Sequence, residues 1–336
     1  MSVNKAALAD HPAAETQTAS AGVVPAPPGA VEISSSAAPG AGSLAGDLLE
    51  LSKMRVNLLA LVTVFAGFAL GLRTSTGGSL ASLLSSQNGW LLLHVLVGSF
   101  VLAAAASMLN QYMERAPDAL MERTAARPLA AGRFPAALAR TLGILLSLLG
   151  LAYLFVLVNP VCAAVSAVTA GVYVFFYTPL KRITSFSLLV GAFAGALPPV
   201  IGLTAATGEL LPAGWSIFTI QFIWQIPHFL AIAWIYREDY ARAGFPMLTV
   251  VDREGKATAL QVVGWSLALV PASLMPAAVF GFAAGFYFWM ALGTSSLFLA
   301  FAVSFAIKRT SERARRLVIA SVIYLPALFI ALVLGA

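Results

Sequence analysis

The sequence predicts an all-α fold, a polytopic membrane bundle of about nine transmembrane helices with a cytoplasmic polar cap. Composition gives the first reason. Of the 336 residues, 60% are hydrophobic and 10% are charged, whereas soluble domains have roughly 45–50% apolar and about 25% charged residues. The second reason is that long apolar runs alternate with short polar segments, and about 20 apolar residues suffice for a helix to cross a bilayer core of roughly 30 Å.

The amino-terminal segment, residues 1–46, is rich in Ala, Pro, Ser and Gly and offers no apolar core of its own. We therefore expect a disordered cytoplasmic tail there, followed by one transmembrane domain over residues 47–336. The tail lacks the basic start and apolar centre of a secretory signal, and its only basic residue is Lys5, which argues against an Arg-rich transit peptide. We assign no targeting segment.

Nine apolar runs are long enough to cross a bilayer. The third and fourth are separated only by Asn159 and Pro160, so we expect a tight helical hairpin with Pro160 in the first turn of the fourth helix. The predicted spans are 56–72, 90–113, 138–158, 161–177, 187–206, 215–236, 259–278, 280–307 and 317–334.

The distribution of charge predicts the orientation. Of the 20 Lys and Arg residues, all except Arg73 lie before the first span or after an even-numbered span. Because basic loops resist translocation, we expect these segments in the cytoplasm and the carboxyl terminus outside. The basic residues are scattered between spans rather than gathered in a soluble patch, which argues against nucleic-acid binding.

The acidic residues lie on the same side, with Glu209 the exception among 14. The topology rule does not require this of acids. Acids and bases together at helix ends suggest a binding site, although ordinary solvated loops with surface ion pairs explain the pattern equally well.

Three polar side chains at the end of the second span, Asn110, Glu114 and Asp118, recur every four residues. A continuing helix places them on one face, with a drift of about 40° per step. Mg2+ prefers such hard oxygen ligands and commonly joins carboxylates to substrate phosphates. Arg123 and Arg127 follow, and guanidinium groups bind phosphate oxygens through paired hydrogen bonds.

A simpler interpretation is a helix end in which Glu114 and Asp118 pair with neighbouring arginines. Pro117 also disfavours helical geometry at Ala116, so we expect the helix to bend or end before Asp118. Spacing alone does not decide between a metal site and a salt-bridged helix end.

Residues 110–129 resemble the first Asp-rich motif of the UbiA-type membrane prenyltransferases, and their particular form resembles the haem O synthase branch of that superfamily. The side chains that give this form are Met121, Arg123, Thr124, Arg127, Pro128 and Leu129, with Gly132 after them. Such a long pattern at a helix end is specific.

Two further segments carry the resemblance. Adjacent cations such as Lys181 and Arg182 most simply anchor a chain at the membrane interface, but the surrounding Tyr-Thr-x-Leu-Lys-Arg-x-Thr pattern resembles the family, where the basic pair faces the diphosphate. After the sixth span, the resemblance implies that Asp239, with Glu238, holds a second Mg2+. It places Arg237 or Tyr240 near the diphosphate; a short juxtamembrane ion-pair cluster is the alternative.

His228 lies within the predicted sixth span, about 16 Å below Asp239 at 1.5 Å per residue. An ionisable residue at this depth suggests a function, and a neutral imidazole suits haem iron. The alternatives are a proton-transfer or hydrogen-bonding group, or a structural histidine beside Pro227. For His94, in the second span, we expect packing or a hydrogen bond.

The resemblance implies Mg2+-dependent transfer of a farnesyl group from farnesyl diphosphate to a vinyl group of haem B, giving haem O and diphosphate. It implies Asn110, Glu114, Asp118 and Asp239 as Mg2+ ligands and catalytic residues, with His228 as a further catalytic residue. Haem B is then a substrate rather than a resident cofactor. The expected surroundings are the lipid of a bacterial inner membrane and downstream haem-modifying or terminal-oxidase assembly proteins.

Two alternatives stay open from the sequence. A prenyltransferase acting on a quinone precursor or a chlorophyll-type acceptor shares the first motif, but we expect a richer second Asp cluster in place of the Pro227-His228 pattern. An ion-coupled transporter is expected to carry charges near the membrane midplane and broken helices in inverted repeats.

Overall fold

The computed structural model describes residues 43–76, 85–279 and 285–335, and the described parts form fourteen α-helices and one π-helical segment. The predicted all-α fold is confirmed. The π-helical segment is Val172–Tyr177. The α-helices are α1 Leu44–Leu51, α2 Met54–Thr76, α3 Ser86–Asp118, α4 Ala136–Leu157, α5 Pro160–Gly171, α6 Thr178–Leu180, α7 Ser187–Gly195, α8 Pro198–Thr207, α9 Pro212–Ile235, α10 Arg237–Arg242, α11 Leu248–Val251, α12 Lys256–Val279, α13 Phe286–Ile307 and α14 Ser311–Gly335.

Within the described ranges, nine helical stretches are long and apolar enough to cross a membrane, and each overlaps one predicted span. The fourth is built from α5, the π-helical segment and α6, and the fifth from α7 and α8. The predicted start of the eighth span, at Phe280, lies outside the described residues. So do residues 1–42 of the predicted tail, and α1 begins at Leu44, two residues before the predicted tail boundary.

The predicted hairpin between the third and fourth spans is confirmed. Pro160 occupies the first turn of α5, and the Asn159 side chain accepts a hydrogen bond from the backbone N–H of Cys162 at 2.8 Å. The Asn159 amide also donates to the carbonyl of Thr204 at 3.0 Å. One residue therefore caps α5 and fastens the hairpin to the end of α8.

Helices α2 and α8 cross at very short range through glycines. A Cβ atom on Gly67 would lie 1.8 Å from the carbonyl oxygen of Pro199, and one on Gly202 would lie 1.8 Å from that of Val64. Small residues allow this because lipid supplies little drive for helix association, so close van der Waals contact must hold the helices together. Any larger side chain at either position forces the helices apart.

The buried apolar residues form two large clusters and two small ones. One large cluster joins α9, α12, α13 and α14, and the other joins α2, α3, α4, α5 and α8. A small cluster of Met121, Ala233, Tyr240, Phe245 and Met247 packs the segment after α3 against α9–α11. This cluster brings the first and third polar motifs together at one end of the bundle.

The sequence predicts that Pro117 bends or ends the helix before Asp118. Helix α3 continues through Pro117 to Asp118, so an end before Asp118 is wrong, and a bend at this point stays a prediction. The proline lies in the last turn, so it removes the single intrahelical hydrogen bond that its N–H would have donated to the backbone oxygen of Met113. The turn that follows satisfies the final carbonyl groups: Leu120 N–H donates to Pro117, and the Thr124 hydroxyl donates to the backbone oxygen of Asp118 at 2.8 Å.

Candidate active site

The row Asn110, Glu114 and Asp118 is buried at the carboxyl end of α3. Their exposed fractions are 1%, 3% and 2%. The four-residue spacing brings all three residues into the last turns of one helix, as predicted. Buried carboxylates are costly without partners, so what faces them determines what the site can do.

Each member of the row is paired with a cation from a different part of the chain. Lys53 Nζ donates to Asn110 Oδ1 at 2.8 Å, and Lys181 Nζ donates to Glu114 Oε1 at 2.8 Å. Asp118 Oδ2 accepts from Arg127 at 2.7 Å. The salt-bridge interpretation is therefore right for Asp118, whereas Glu114 pairs with a lysine from the second motif.

Hydrogen bonds fix the orientation of the Asn110 amide. The Thr178 hydroxyl donates to the backbone oxygen of Tyr173 at 2.8 Å, so its oxygen is free to accept from Asn110 Nδ2 at 3.1 Å. The carbonyl oxygen of Asn110 must then face Lys53. A neutral oxygen with a defined direction therefore lies on the same helix as the two carboxylates.

Asp118 keeps one oxygen without a partner. Its Oδ1 atom is fully buried and has no hydrogen bond among the described residues. A buried carboxylate oxygen left open in this way suits a divalent cation. Asn110 and Glu114 supply further hard oxygens, so the row fits Mg2+ in its donor chemistry.

Asp239 does not join the row as a common metal site. Among the described residues, no three His, Cys, Asp or Glu side chains are close enough together to hold one metal ion. Asp239 is bound by Arg242, which also contacts Glu122 at 3.1 Å. The role of Asp239 as a ligand of a second metal stays a prediction.

Lys53 is a site residue that the sequence reasoning missed, because its position before the first span marked it as a topology signal. It joins α1 to α2 and adopts φ = 46°, the only positive φ outside glycine in the described residues. Burial lowers the pKa of Lys53 to about 8, with the positive charge of Arg127 acting in the same direction.

Helix α1 is held in place by Gln111, which donates to Leu51 O at 2.9 Å.

We use the term cap for the end of the bundle that is formed by the row and its partners Lys53, Lys181 and Arg127. Lys181 is the partner of Glu114 in the middle of the row. Burial opposes its charge, but the nearby Tyr177 oxygen and the Glu114 carboxylate outweigh burial and raise its pKa above the ordinary value. Its ammonium also faces the rings of Tyr177 and Phe245 at 5.3 and 5.2 Å. Lys181 therefore stays charged at neutral pH, as a phosphate-binding residue must.

The other predicted phosphate-binding residues fall into two groups. Arg123 lies over the ring of Tyr236 at 4.8 Å and donates to the hydroxyl of Tyr240 at 3.2 Å, so both Arg123 and Tyr240 belong to the cap. Arg182 and Arg237 are exposed. Arg237 lies over Trp234 at 4.7 Å, and the structure gives neither residue a contact with the row.

The two histidines of the spans are both hydrogen-bonded. His94 Nδ1 lies 2.7 Å from the hydroxyl of Tyr153, which agrees with the expected packing or hydrogen-bonding role. His228 Nδ1 lies 2.6 Å from the hydroxyl of Ser321 on α14, and its ring stacks on Trp224 at 5.0 Å. The role of His228 in catalysis stays a prediction.

The described residues form an apolar helical bundle with paired acids and bases at one end, which is the arrangement of a membrane protein with a charged binding site. Residues 60–333 match the model of the UbiA prenyltransferase family. The chain belongs to that family and is a prenyltransferase. The resemblance to its haem O synthase branch is confirmed by the curated relatives.

Two of these relatives are named protoheme IX farnesyltransferase. The protein of Solibacter usitatus is 43% identical, and the alignment covers 84% of this chain and 96% of the relative. The protein of Salinibacter ruber is 42% identical, with 84% and 95% covered. These matches to prenyltransferases argue against the alternative prediction of an ion-coupled transporter.

Solved structures share the fold at low sequence identity. A structure of digeranylgeranylglyceryl phosphate synthase has a TM-score of 0.68 at 16% identity, covering 86% of this chain and 97% of that one. A UbiA homolog from Archaeoglobus fulgidus bound to GPP and Mg2+ has a TM-score of 0.58 at 18% identity, with 85% and 99% covered.

Proposed function

We propose that this enzyme transfers a farnesyl group from farnesyl diphosphate to a vinyl group of haem B, in a Mg2+-dependent reaction that gives haem O and diphosphate. The observation that carries the proposal is the buried row Asn110, Glu114 and Asp118, in which every member faces a cation and Asp118 Oδ1 has no partner. The relatives named protoheme IX farnesyltransferase support the donor and the acceptor. The homolog bound to GPP and Mg2+ supports the metal.

The cap residues bind and orient the diphosphate. Lys181 and Arg127 pair with carboxylates in the free enzyme, so each has a charge and a direction before the substrate arrives. Arg123, held by Tyr240, supplies a further cation. Such preorganised groups stabilise the negative charge that develops on the leaving diphosphate.

Mg2+ held by Asn110, Glu114 and Asp118, with a second ion at Asp239, would supply further neutralisation of the leaving group. The paired cations must then turn from the row toward the phosphate oxygens. Because the carboxylates of the row are buried and their cations are partly buried, this exchange must keep every charge partnered.

The bond changes follow from the substrates. The C1–O bond of the farnesyl donor breaks, and diphosphate keeps the electron pair. The allylic carbon C1 then bonds to the terminal carbon of the vinyl group, which leaves a cation on the carbon next to the porphyrin. Water adds to that cation and loses a proton, giving a hydroxyethylfarnesyl side chain. The apolar bundle must exclude water until the new carbon–carbon bond has formed.

The test is a direct assay. Purified protein is incubated with haem B, farnesyl diphosphate and Mg2+, and the porphyrin is analysed by mass. The expected product carries one added farnesyl group and one added hydroxyl group. If the haem stays unchanged while a quinone precursor is prenylated in a parallel assay, haem B is not the acceptor and the quinone precursor takes its place in the proposal.

We also propose that the chain lies in a bacterial inner membrane with its amino terminus and cap loops in the cytoplasm. The support for the orientation is that 19 of the 20 Lys and Arg residues lie on the predicted cytoplasmic side, with Arg73 alone on the other. A protease that removes a carboxyl-terminal tag from the cytoplasmic side alone would overturn this orientation.

A further inference from the structure

Ser321 of α14 fixes the proton position on His228. Its hydroxyl oxygen is buried and lies 2.6 Å from both Val318 O and His228 Nδ1. A hydroxyl has one proton, and a carbonyl oxygen at 2.6 Å can only accept it. Ser321 therefore donates to Val318 and accepts from His228, so the ring proton is on Nδ1.

This arrangement leaves the lone pair of His228 on Nε2. Within the part of the chain that the structure describes, Nδ1 is the only ring nitrogen of His228 with a hydrogen-bond partner, and the side chain is half-buried. An unprotonated Nε2 whose opposite nitrogen donates a hydrogen bond is the arrangement typical of histidines that bind metals.

The ring is also held in a fixed plane. Trp224 stacks on it with an interplanar angle of 17°, and the indole Nε1 of Trp224 donates to the backbone oxygen of Ser321 at 2.9 Å. One residue of α14 thus anchors two aromatic rings that lie one turn apart on α9. A histidine needed only for packing would not require both anchors.

The position of His228 on α9 connects it with the polar cap. His228, Ile232 and Tyr236 follow each other at four-residue spacing, and none of the three is buried. Four-residue steps keep them along one side of the helix. Tyr236 ends this stripe directly beside Arg123, so His228 lies on the side of α9 that leads to the diphosphate end of the site.

We propose that Nε2 of His228 is an axial ligand of the iron of the haem acceptor, and that Ser321 is the positioning residue that holds this nitrogen unprotonated. The inference rests on the proposed function, since it takes haem B as the acceptor. Nε2 donates its lone pair to an open axial position of the iron, and no electron or proton is transferred. His228 lies seven residues before the end of α9, about 10 Å below the cap, so the iron is held deep in the bundle while a vinyl edge reaches toward farnesyl C1.

The experiment binds haem B to the purified full-length protein without prenyl donor and records the absorption and resonance Raman spectra of the ferrous complex. The wild type is expected to show an iron–histidine stretching band. His228→Ala is expected to lose it and to regain it when imidazole is added, which also shows that the variant is folded. His94→Ala, the matched control, is expected to keep the wild-type spectrum.

Ser321 is tested in the same way. Ser321→Ala is expected to bind haem but to shift the iron–histidine band, and to lower the transfer rate roughly 10- to 100-fold, the usual loss when a partner of a metal ligand is removed. Ser321→Thr keeps the hydroxyl and is expected to restore both values.

The outcomes separate the inference from the proposed function. A wild type that farnesylates haem but shows no iron–histidine band, or a band that persists in His228→Ala, overturns the inference and leaves the function standing. A wild type that neither binds nor farnesylates haem overturns both. An unshifted band in Ser321→Ala overturns the positioning role alone.

Discussion

The ammonium group of Lys53 lies 2.8 Å from Oδ1 of Asn110, 57 residues further along the chain. The contact places a third cation beside the row, in addition to Lys181 and Arg127. It also ties the junction of α1 and α2 to the end of α3. The amino-terminal helix therefore contributes to the site rather than only leading into the membrane.

Lys53→Met is expected to weaken binding of farnesyl diphosphate. A charge-assisted hydrogen bond contributes about 1.5–3 kcal/mol, which corresponds to a roughly 10- to 100-fold higher Kd. Lys53→Arg retains the charge and is expected to recover much of the loss. Isothermal titration with Mg2+ present measures both. Lys256→Met removes an exposed lysine (77% exposed) and is the control; an equal loss there would contradict a specific role for Lys53.

Asp118→Asn is expected to lower Mg2+-dependent transfer at least about 100-fold, in the range found when one preorganised group is removed from an active site. The change keeps the shape of the side chain but removes the charge that Arg127 and the metal require. Initial rates are measured across a Mg2+ titration. Glu122→Gln alters a carboxylate that is 84% exposed, and it is expected to leave the rates near the wild-type values. An unchanged Mg2+ dependence in Asp118→Asn would exclude a metal-binding role for Asp118.

The row itself could be predicted, because four-residue spacing on one helix is a local property of the sequence. The residues that pair with the row could not be predicted. Lys181 is 67 residues from Glu114, and the sequence gives no distance between loops that meet only after the bundle has folded. Residues 172–177 form a π-helix, which disrupts the 3.6-residue period on which a face assignment depends. Lys53 was interpreted only as a signal of membrane orientation, because the orientation rule explains a basic residue before the first span without a role in a binding site.

Pro117 shows why local rules can fail near a site. Its effect on the preceding residue argued for a bend or an end of the helix before Asp118, yet α3 includes Asp118. The tertiary fold outweighs that preference, since the Thr124 hydroxyl and the following turn satisfy the carbonyl groups at the helix end. Asn110, Glu114 and Asp118 therefore all lie on one helix.

Gly202→Ala is expected to destabilise the fold through the crossing of α2 and α8. The added methyl group would lie 1.8 Å from the backbone oxygen of Val64, and backbone atoms cannot yield as a side chain can. Overpacking of this kind costs about 1–3 kcal/mol or more. Thermal unfolding in detergent measures it.

Gly264→Ala is the matched control for Gly202→Ala, because it is also a helical glycine and its Cβ would meet nothing within 4 Å. That change is expected to leave the unfolding temperature unchanged or to raise it slightly. Equal unfolding temperatures for the two variants would show that the crossing tolerates a methyl group and that α2 and α8 are less tightly packed than the structure indicates.

Asp252 links the stability of the α11–α12 loop to pH. Its Oδ2 atom accepts from the backbone N–H of Thr258 at 2.7 Å. Burial acts to raise the pKa of Asp252, but backbone hydrogen bonds from Thr258, Gly255 and Lys256 together hold it below its ordinary value of 3.8. The folded state therefore favours the ionised form more strongly than the unfolded chain does. The resulting stability is present above the ordinary pKa and is lost as pH falls through the lower pKa of the folded protein.

Asp252→Ala is expected to lower the free energy of unfolding by about 1 kcal/mol at pH 7, the usual effect of losing a capping carboxylate. At a pH below the lowered pKa of the folded protein the wild-type carboxyl becomes protonated, so we expect the difference in free energy of unfolding between wild type and variant to shrink. Unfolding at both pH values measures this. Glu254→Ala, which removes a neighbouring exposed carboxylate, is expected to show little difference at either pH. Acidification removes only the ionised carboxylate. If Asp252→Ala lowers the free energy of unfolding equally at both pH values, the effect of the substitution comes from lost packing and not from lost charge.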